Sequence, residues 1–409
     1  MNKIFLSILV LFGVGFAVDA KLEIIKARQK LPSIMVNVYG TGLPYKVSNL
    51  VAKDLEVSGN FRVSTQNKND NDPNYTFYQT QKIDLLVEIV QEKNRFNLFL
   101  YDINAKERVL QKSYVLQDSA LYPFVSHTIA NDVNNYLKAP SIAWMNRKVI
   151  FSKLLGPSKS EIVVADYTLS YQKSIIDDGL NVFPKWADKD QTSIYFTKYL
   201  DRPTILKYNL DTKKFDRILS SQGIAIVSDV SNDGKKILVS MSPIAQSDVY
   251  LYDLEAKSTK RLTNYPGIDV GGNFIDKDKK IIFISDRLGY PNVFMMNEDG
   301  SGVEQVVFHG RNNSSATSNG EYVVYSSREE KNEFGASTFN LYMIAPGTSE
   351  IRRITVNGAN QMPRFSRDGQ NVMFLKNTQH QSALGIVRLR YNKTYLFPIS
   401  KLKIQSFDW

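Results

Sequence analysis

The sequence predicts a mainly β protein in which a small α+β domain precedes a six-bladed β-propeller. Three observations carry this reading. A strand–turn–strand unit recurs about every 44 residues through the second half of the chain. Residues 33–139 follow another pattern, with helical spacing and strands mixed. The first 20 residues read as an export signal that lies outside the fold.

The repeat is clearest in "WADKDQTSIYFT" (186–197), "VSNDGKKILVSM" (230–241), "FIDKDKKIIFIS" (274–285), "ATSNGEYVVYSS" (316–327) and "FSRDGQNVMFLK" (365–376). Each sets a polar turn after a mostly apolar anchor and then runs into a strand. "NRKVIFSK" (146–153) is a sixth, degenerate copy. The turn positions are Asn146, Asp190, Gly234, Asp278, Gly320 and Gly369. A later strand in each unit ends near Asp166, Asn209, Asp253 or Asn297, residues whose side chains bond the following backbone in turns. A last short strand closes on "RILS", "KRLT" or "RRIT". Each unit is therefore four antiparallel strands, A to D. One such sheet cannot hide its faces, whereas six around an axis bury one another and leave few open edges. Residues 140–409 are read as that ring, with an open solenoid as the alternative.

In the preceding domain, "SIMVNVYG" is a strand and "YKVSNLVAKDLEVSGN" a helix capped by Gly59. "QNKNDNDPN" (66–74) is a polar loop. A strand meander follows, with turns at Glu92–Asn94 and Asn104–Lys106, and "FVSHTIANDVNNYLK" returns to helix. Pro140 ends that helix and marks the hinge at 138–141.

Lys3, the apolar run 4–17 and the short side chains at Val18 and Ala20 make 1–20 a cleavable signal peptide, an uncleaved anchor being the alternative. Residues 21–32 then form a tail ahead of the domain. No later stretch is apolar enough to cross a membrane, so a soluble exported protein is expected. The absence of cysteine fits a bacterial periplasm. The chain carries 51 basic and 41 acidic residues, a net charge of +10. Its Lys/Arg pairs recur near turns without aromatic residues between them, which reads as solvated turn charge and not as a nucleic-acid surface.

"FISDRLGYPNVFMMNEDG" (283–300) sets a hydroxyl, a carboxylate and a guanidinium side by side. In the repeat frame Ser285 ends strand B. Related hydroxyls recur at Thr197, Ser240 and Ser326, but the carboxylate does not. A recurring hydroxyl at a strand end points to backbone bonding instead of nucleophilic attack. "GASTF" and "GTSEI" lack the closing Gly of a hydrolase nucleophile elbow. His127, His309 and His380 show no metal-ligand spacing, and turn chemistry accounts for Asp188/Asp190 and Asp276/Asp278. No catalytic residue, metal or cofactor is predicted. The alternative is a periplasmic propeller hydrolase, a lactonase or glycan hydrolase, that uses channel carboxylates.

Signal, α+β domain and propeller in this order, with "FISDRLGYPNVFMMNEDG", "VYLYDLEAKSTKRLT" and "PRFSRDGQNVMFLK", resemble the TolB family of the Tol–Pal envelope system over essentially the whole mature chain. The resemblance implies a monomeric, non-enzymatic periplasmic adaptor. Its propeller would bind the peptidoglycan-associated lipoprotein Pal and its N-terminal tail TolA, in support of outer-membrane integrity and constriction at division. The tail here is "KLEIIKA" (21–27). Leu22, Ile24 and Ile25 match the family's apolar positions, and Glu23 and Lys26 depart from its charge pattern. A short tail rich in β-branched residues suits strand addition to a partner's sheet. Antiparallel order puts the B–C loops and D–A connections on one face. The residues expected to meet Pal there are Ile224, Asp269, Val270, Arg311 and Gln361, with Arg287 from a B–C loop.

Overall fold

The computed structural model describes residues 31–68, 73–329, 338–378, 381–399 and 403–409. The signal segment and residues 21–30 of the tail, with Leu22, Glu23, Ile24 and Ile25, lie outside the described residues.

The N-terminal domain is one sheet with helices on it. Its strands are β1 (Ser33–Asn37), β2 (Arg62–Gln66), β3 (Leu85–Glu92), β4 (Arg95–Asp102) and β5 (Glu107–Val115), in the order β2-β1-β3-β4-β5. β1 runs parallel to both neighbours and the other pairs are antiparallel. Helix α1 (Leu43–Ser58) starts with Pro44 in its first turn and ends on Gly59, which is left-handed at φ 72°. A Cβ there would stand 2.7 Å from the Tyr391 ring of the propeller, so Gly59 serves cap and domain contact together. The predicted turns of the meander are present, with Lys93 and Lys106 at positive φ. Two elements were not expected from the sequence. β2 lacks a continuous apolar run, and helix α2 (Tyr75–Thr80) is short, started by Asn74, whose side chain accepts from the Phe77 N–H at 3.0 Å. Helix α3 is Tyr122–Tyr136.

The propeller has its six blades. Blades 2 to 6 open with inner strands Asn181–Trp186, Ala225–Val230, Asp269–Ile275, Arg311–Ser318 and Ala359–Phe365, each followed by strands B, C and D. A single bridge, Phe339 to Ala359, joins blades 5 and 6 edge to edge. Blade 1 differs. Its strands B to D are Val149–Gly156, Lys159–Ala165 and Gln172–Ile176, but its strand A is Ile404–Asp408, the last strand of the chain. Asn146 therefore belongs to a short 3-10 helix instead of an A–B hairpin, which corrects the sixth turn read from the sequence. Gly234, Gly320 and Gly369 turn at positive φ as expected. Asp278 does so without being Gly (φ 70°), and in blade 2 the left-handed residue is Gln191, not Asp190.

Every A–B pair carries a register shift. Left-handed residues sit at several of these shifts, among them Phe183, Gly271, Asn312 and Met362. A bulge in the innermost strand bends it where the blades crowd the axis.

Closure is also electrostatic. Asp408 accepts the Trp186 N–H at 2.9 Å and pairs with Lys185 at 3.1 Å and Arg364 at 3.7 Å, so it ties blade 1 to blades 2 and 6. Lys185 also reaches Asp229 of blade 3 at 3.5 Å.

The two domains share one apolar core. Val47, Leu55 and Ile129 from the helices pack in the same cluster as Phe151, Tyr167, Leu384 and Phe407 of blades 1 and 6. Within it lies a charged group. His127 of α3 is fully buried, with Nδ1 2.7 Å from Asp54 of α1 and Nε2 3.3 Å from Asp166 at the C–D turn of blade 1. The Tyr167 hydroxyl donates to Asp54 at 2.6 Å. Burial alone would lower the His127 pKa, but the two carboxylates outweigh it and push it up to about 9. Burial would raise the Asp166 pKa, and its bonds to His127, Thr168 and Tyr171 hold it below the usual range instead.

Asp408→Ala strips a buried carboxylate from Lys185 and the Trp186 amide, and thermal or urea unfolding should show a loss of about 3 kcal/mol. For His127, a folded pKa of about 9 above an ordinary 6.5 means its stabilisation is complete below pH 6.5 and lost as pH rises through 9. Unfolding free energy should therefore fall by roughly 3 kcal/mol across that window, and His127→Gln should flatten this limb. An unchanged slope in the variant would refute the assignment.

Candidate functional site

The Ser-Asp-Arg cluster is explained by what its counterparts do. Ser152 of blade 1 donates to the Asn181 carbonyl of blade 2 at 2.9 Å, and Thr197 of blade 2 to the Ala225 carbonyl of blade 3 at 2.5 Å. Ser240 of blade 3 accepts the Gly271 N–H of blade 4 at 2.9 Å, and Ser326 of blade 5 donates to the Asn360 carbonyl of blade 6 at 3.0 Å. In blade 6 Lys376 reaches the Asn357 carbonyl at 2.8 Å from the same region. A B-strand hydroxyl thus stitches blades 1, 2, 3 and 5 to the inner strand of the next blade, whereas the Lys376 bond stays within blade 6.

Blade 4 departs from this pattern. The buried Ser285 hydroxyl accepts from Arg287 Nε at 2.8 Å. The guanidinium also bonds both oxygens of Asp269 (3.1 and 3.3 Å) and lies over Phe294, Phe283 and Tyr265, nearest to Phe294 at 4.9 Å. Asp286 accepts the Ile268 N–H at 2.8 Å. Gly267 allows that approach, because a Cβ would sit 2.3 Å from the Asp286 carboxylate. Hydroxyl, carboxylate and guanidinium each hold loop or neighbour; the cluster builds a surface.

That surface is one end of the ring. Ile224, Asp269, Val270, Arg311 and Gln361 stand at or beside the starts of inner strands, and Arg287 lies in a B–C loop of the same end. Ile224, Val270, Arg287 and Gln361 are partly exposed, and Arg311 is exposed with its guanidinium over Tyr290 at 5.9 Å. Asp269 differs from the others in burial. It is fully buried, burial raises its pKa despite Arg287, and it reaches the face only through that guanidinium. The apolar side chains of this face were not among the expected residues. Ile244 is 88% exposed, Phe308 78% and Val356 63%, and Ile268 and Leu288 are exposed in loops of the same end. Ser247 bridges Ile268, which brings the loop of Ile244 to that of Ile268. The signal was readable: large hydrophobic residues in turn-rich segments with no strand to bury them.

The opposite end is polar. Its mouth, a funnel of ≈ 860 Å³, is lined by the A–B turns with Lys185, Asp188, Asp229, Asp233, Asp278 and Asp408. Most of its carboxylates are engaged: Asp278 accepts two bonds from Asn232, Asp233 accepts from Ser231, Asp188 accepts from Thr192, and Asp229 and Asp408 share Lys185, while Asp190 and Glu321 line the same mouth. Among the described residues no group of three or more His, Asp or Glu side chains is placed to hold a metal ion, and no helix is long and apolar enough to cross a membrane.

The TolB amino-terminal domain model matches residues 20–109 and the TolB β-propeller domain model residues 141–405. The chain belongs to the TolB family. It is 52% identical to the Tol-Pal system protein TolB of Helicobacter hepaticus, with all of both chains covered. Against the Wolinella succinogenes protein of that name the identity is 51%, over 96% of this chain and 97% of the relative. The crystal structure of TolB from Acinetobacter baumannii, 20% identical, superposes over 92% of this chain and 96% of that one with a TM-score of 0.76, a likeness of fold.

Arg287→Ala should leave Asp269 buried without its cation and lower stability by about 3 kcal/mol in thermal unfolding. Asp269→Asn in the same chain should restore part of that loss. Additive effects would show that the two residues are uncoupled.

Proposed function

We propose that this chain is a non-enzymatic periplasmic adaptor of the Tol–Pal system. It grips Pal with the B–C face of the propeller and engages TolA through the tail at 21–32, in support of outer-membrane integrity and constriction at division. The observation that carries the Pal part is the concentration of exposed Ile244, Ile268, Leu288, Phe308 and Val356 on one end of the ring. Such a patch, set among Arg287 and Arg311, has the make-up of a protein interface, with apolar anchors and a charged rim. Most carboxylates of the other mouth are tied into turn and inter-blade bonds, which weighs against hydrolysis, since a catalytic acid or base must be placed to reach substrate.

Capture of purified Pal and TolA by the full chain tests this. Ile268→Asp with Phe308→Asp should weaken Pal binding at least about tenfold, with an unchanged melting temperature. Asp233→Asn on the opposite mouth should leave it intact. Removal of residues 21–27 should abolish TolA capture and spare Pal. Pal binding that survives the first pair and falls with the second variant would put the docking face at the wrong end.

A further inference from the structure

The N-terminal domain and the flank of blades 1 and 2 enclose a cleft of ≈ 650 Å³ that the adaptor reading does not use. One wall comes from the end of β5, the short 3-10 turn ahead of α3 and the start of α3, with Val115, Leu121 and Phe124; the other comes from Val164, Ile175 and Leu210. Val115 and Leu121 are exposed, an unfavourable state for two apolar side chains at a concave surface. Lys148, Lys173 and Lys213 line the same cleft, against Asp211 as its one carboxylate. Among the described residues neither Lys148 nor Lys173 is in an ion pair. A second hollow of ≈ 390 Å³ shares Ile175 and Lys213 with the first and extends the apolar lining to Leu206, Tyr208 and the exposed Phe215. In that hollow Lys198 is neutralised by Asp178 at 2.6 Å, so the surplus positive charge sits at the cleft end.

We infer that this cleft binds a single-chain amphiphile with an anionic head, of the fatty-acid type. The volumes lie within the ~300–1,000 Å³ usual for small-molecule sites. An acyl chain laid along Ile175, Leu210 and Tyr208 removes apolar surface from water, while the carboxylate meets the lysines at the mouth. Charge favours this occupant over the chain's own tail. Residues 21–30 hold four basic side chains and one acidic one, and would bring positive charge to positive charge.

Oleate titrated into the detergent-free chain lacking residues 1–20, followed by calorimetry below its aggregation concentration, should bind saturably at one site. Oleylamine, with the same tail and a cationic head, should not. Lys173→Glu with Lys213→Glu, both at exposed positions, should lower oleate affinity about tenfold and leave the melting temperature unchanged. A chain shorter by four carbons should also bind at least about tenfold more weakly. Non-saturating uptake, equal binding of oleylamine, or charge-reversed protein with full affinity would each overturn the site. Oleate binding that emerges only after residues 21–27 are deleted would identify the tail as the occupant and overturn it too. None of these outcomes depends on Pal or TolA, so the site can fail while the adaptor reading stands.

Discussion

Closure of the ring is the constraint on which the rest depends. Blade 1 has no inner strand until Ile404–Asp408 returns to pair with strand Val149–Gly156, so the first blade is finished by residues that follow the sixth. Until then the inner edge of blade 1 is open, with unpaired backbone along its length. The closing strand also builds the seat of the other domain. Phe407 lies in the same core cluster as Val47 and Leu55 of α1 and Leu384 of blade 6. The helices therefore rest on the seam itself. Folding of the seam and docking of the domain bury the same surface, so each favours the other.

The two ends of the propeller are differentiated by simple means. At the A–B end, the short turns carry Asp, Asn and Lys, and their side chains cap the turn backbone or pair across the channel. At the B–C end, the loops hold Ile, Leu and Phe away from any strand. The same stitching hydroxyl serves most blades, yet in blade 4 it is diverted to Arg287, where a stacked guanidinium replaces a backbone bond. In the proposed interface, a fixed cation beside an apolar loop would supply both grip and orientation.

Period and turn chemistry made the propeller legible, because Gly234, Gly320 and Gly369 occupy positions where a left-handed turn is required. The closing strand was not legible. "IQSFD" reads as any short strand, and its partner in blade 1 lies at the far end of the propeller sequence, a separation that leaves no local trace. The bulges in the inner strands arise from crowding at the axis, which is a property of the ring and not of one unit. Among site residues, strand-start geometry placed Ile224, Val270 and Arg311 at one end of the ring but gave no measure of burial, so the full burial of Asp269 was not foreseen. The exposed Ile244 and Phe308 were visible only to a search for apolar residues where no strand could cover them. His127 looked like one of three scattered histidines, since its carboxylate partners come from another helix and another domain.

That histidine shows what the junction is for. A buried ion cluster contributes little more than apolar packing of the same volume would, but it is intolerant of misplacement. Apolar surfaces can slide over one another at small cost, whereas Nδ1 and Nε2 of one imidazole fix distances to Asp54 on one side and Asp166 on the other. Asp166 is itself locked by the turn it caps, through the amides of Thr168 and Tyr171. The orientation of blade 1 is thus read directly by α3. Tyr391 against Gly59, with its hydroxyl on Asn60, supplies a second fixed point from blade 6. Two such points on adjacent blades remove translation and leave rotation only about the line that joins them, which the shared apolar core opposes. In the proposed adaptor, a junction held this way keeps the domain that carries the tail in one relation to the propeller face, so that partners at the two ends meet a rigid body.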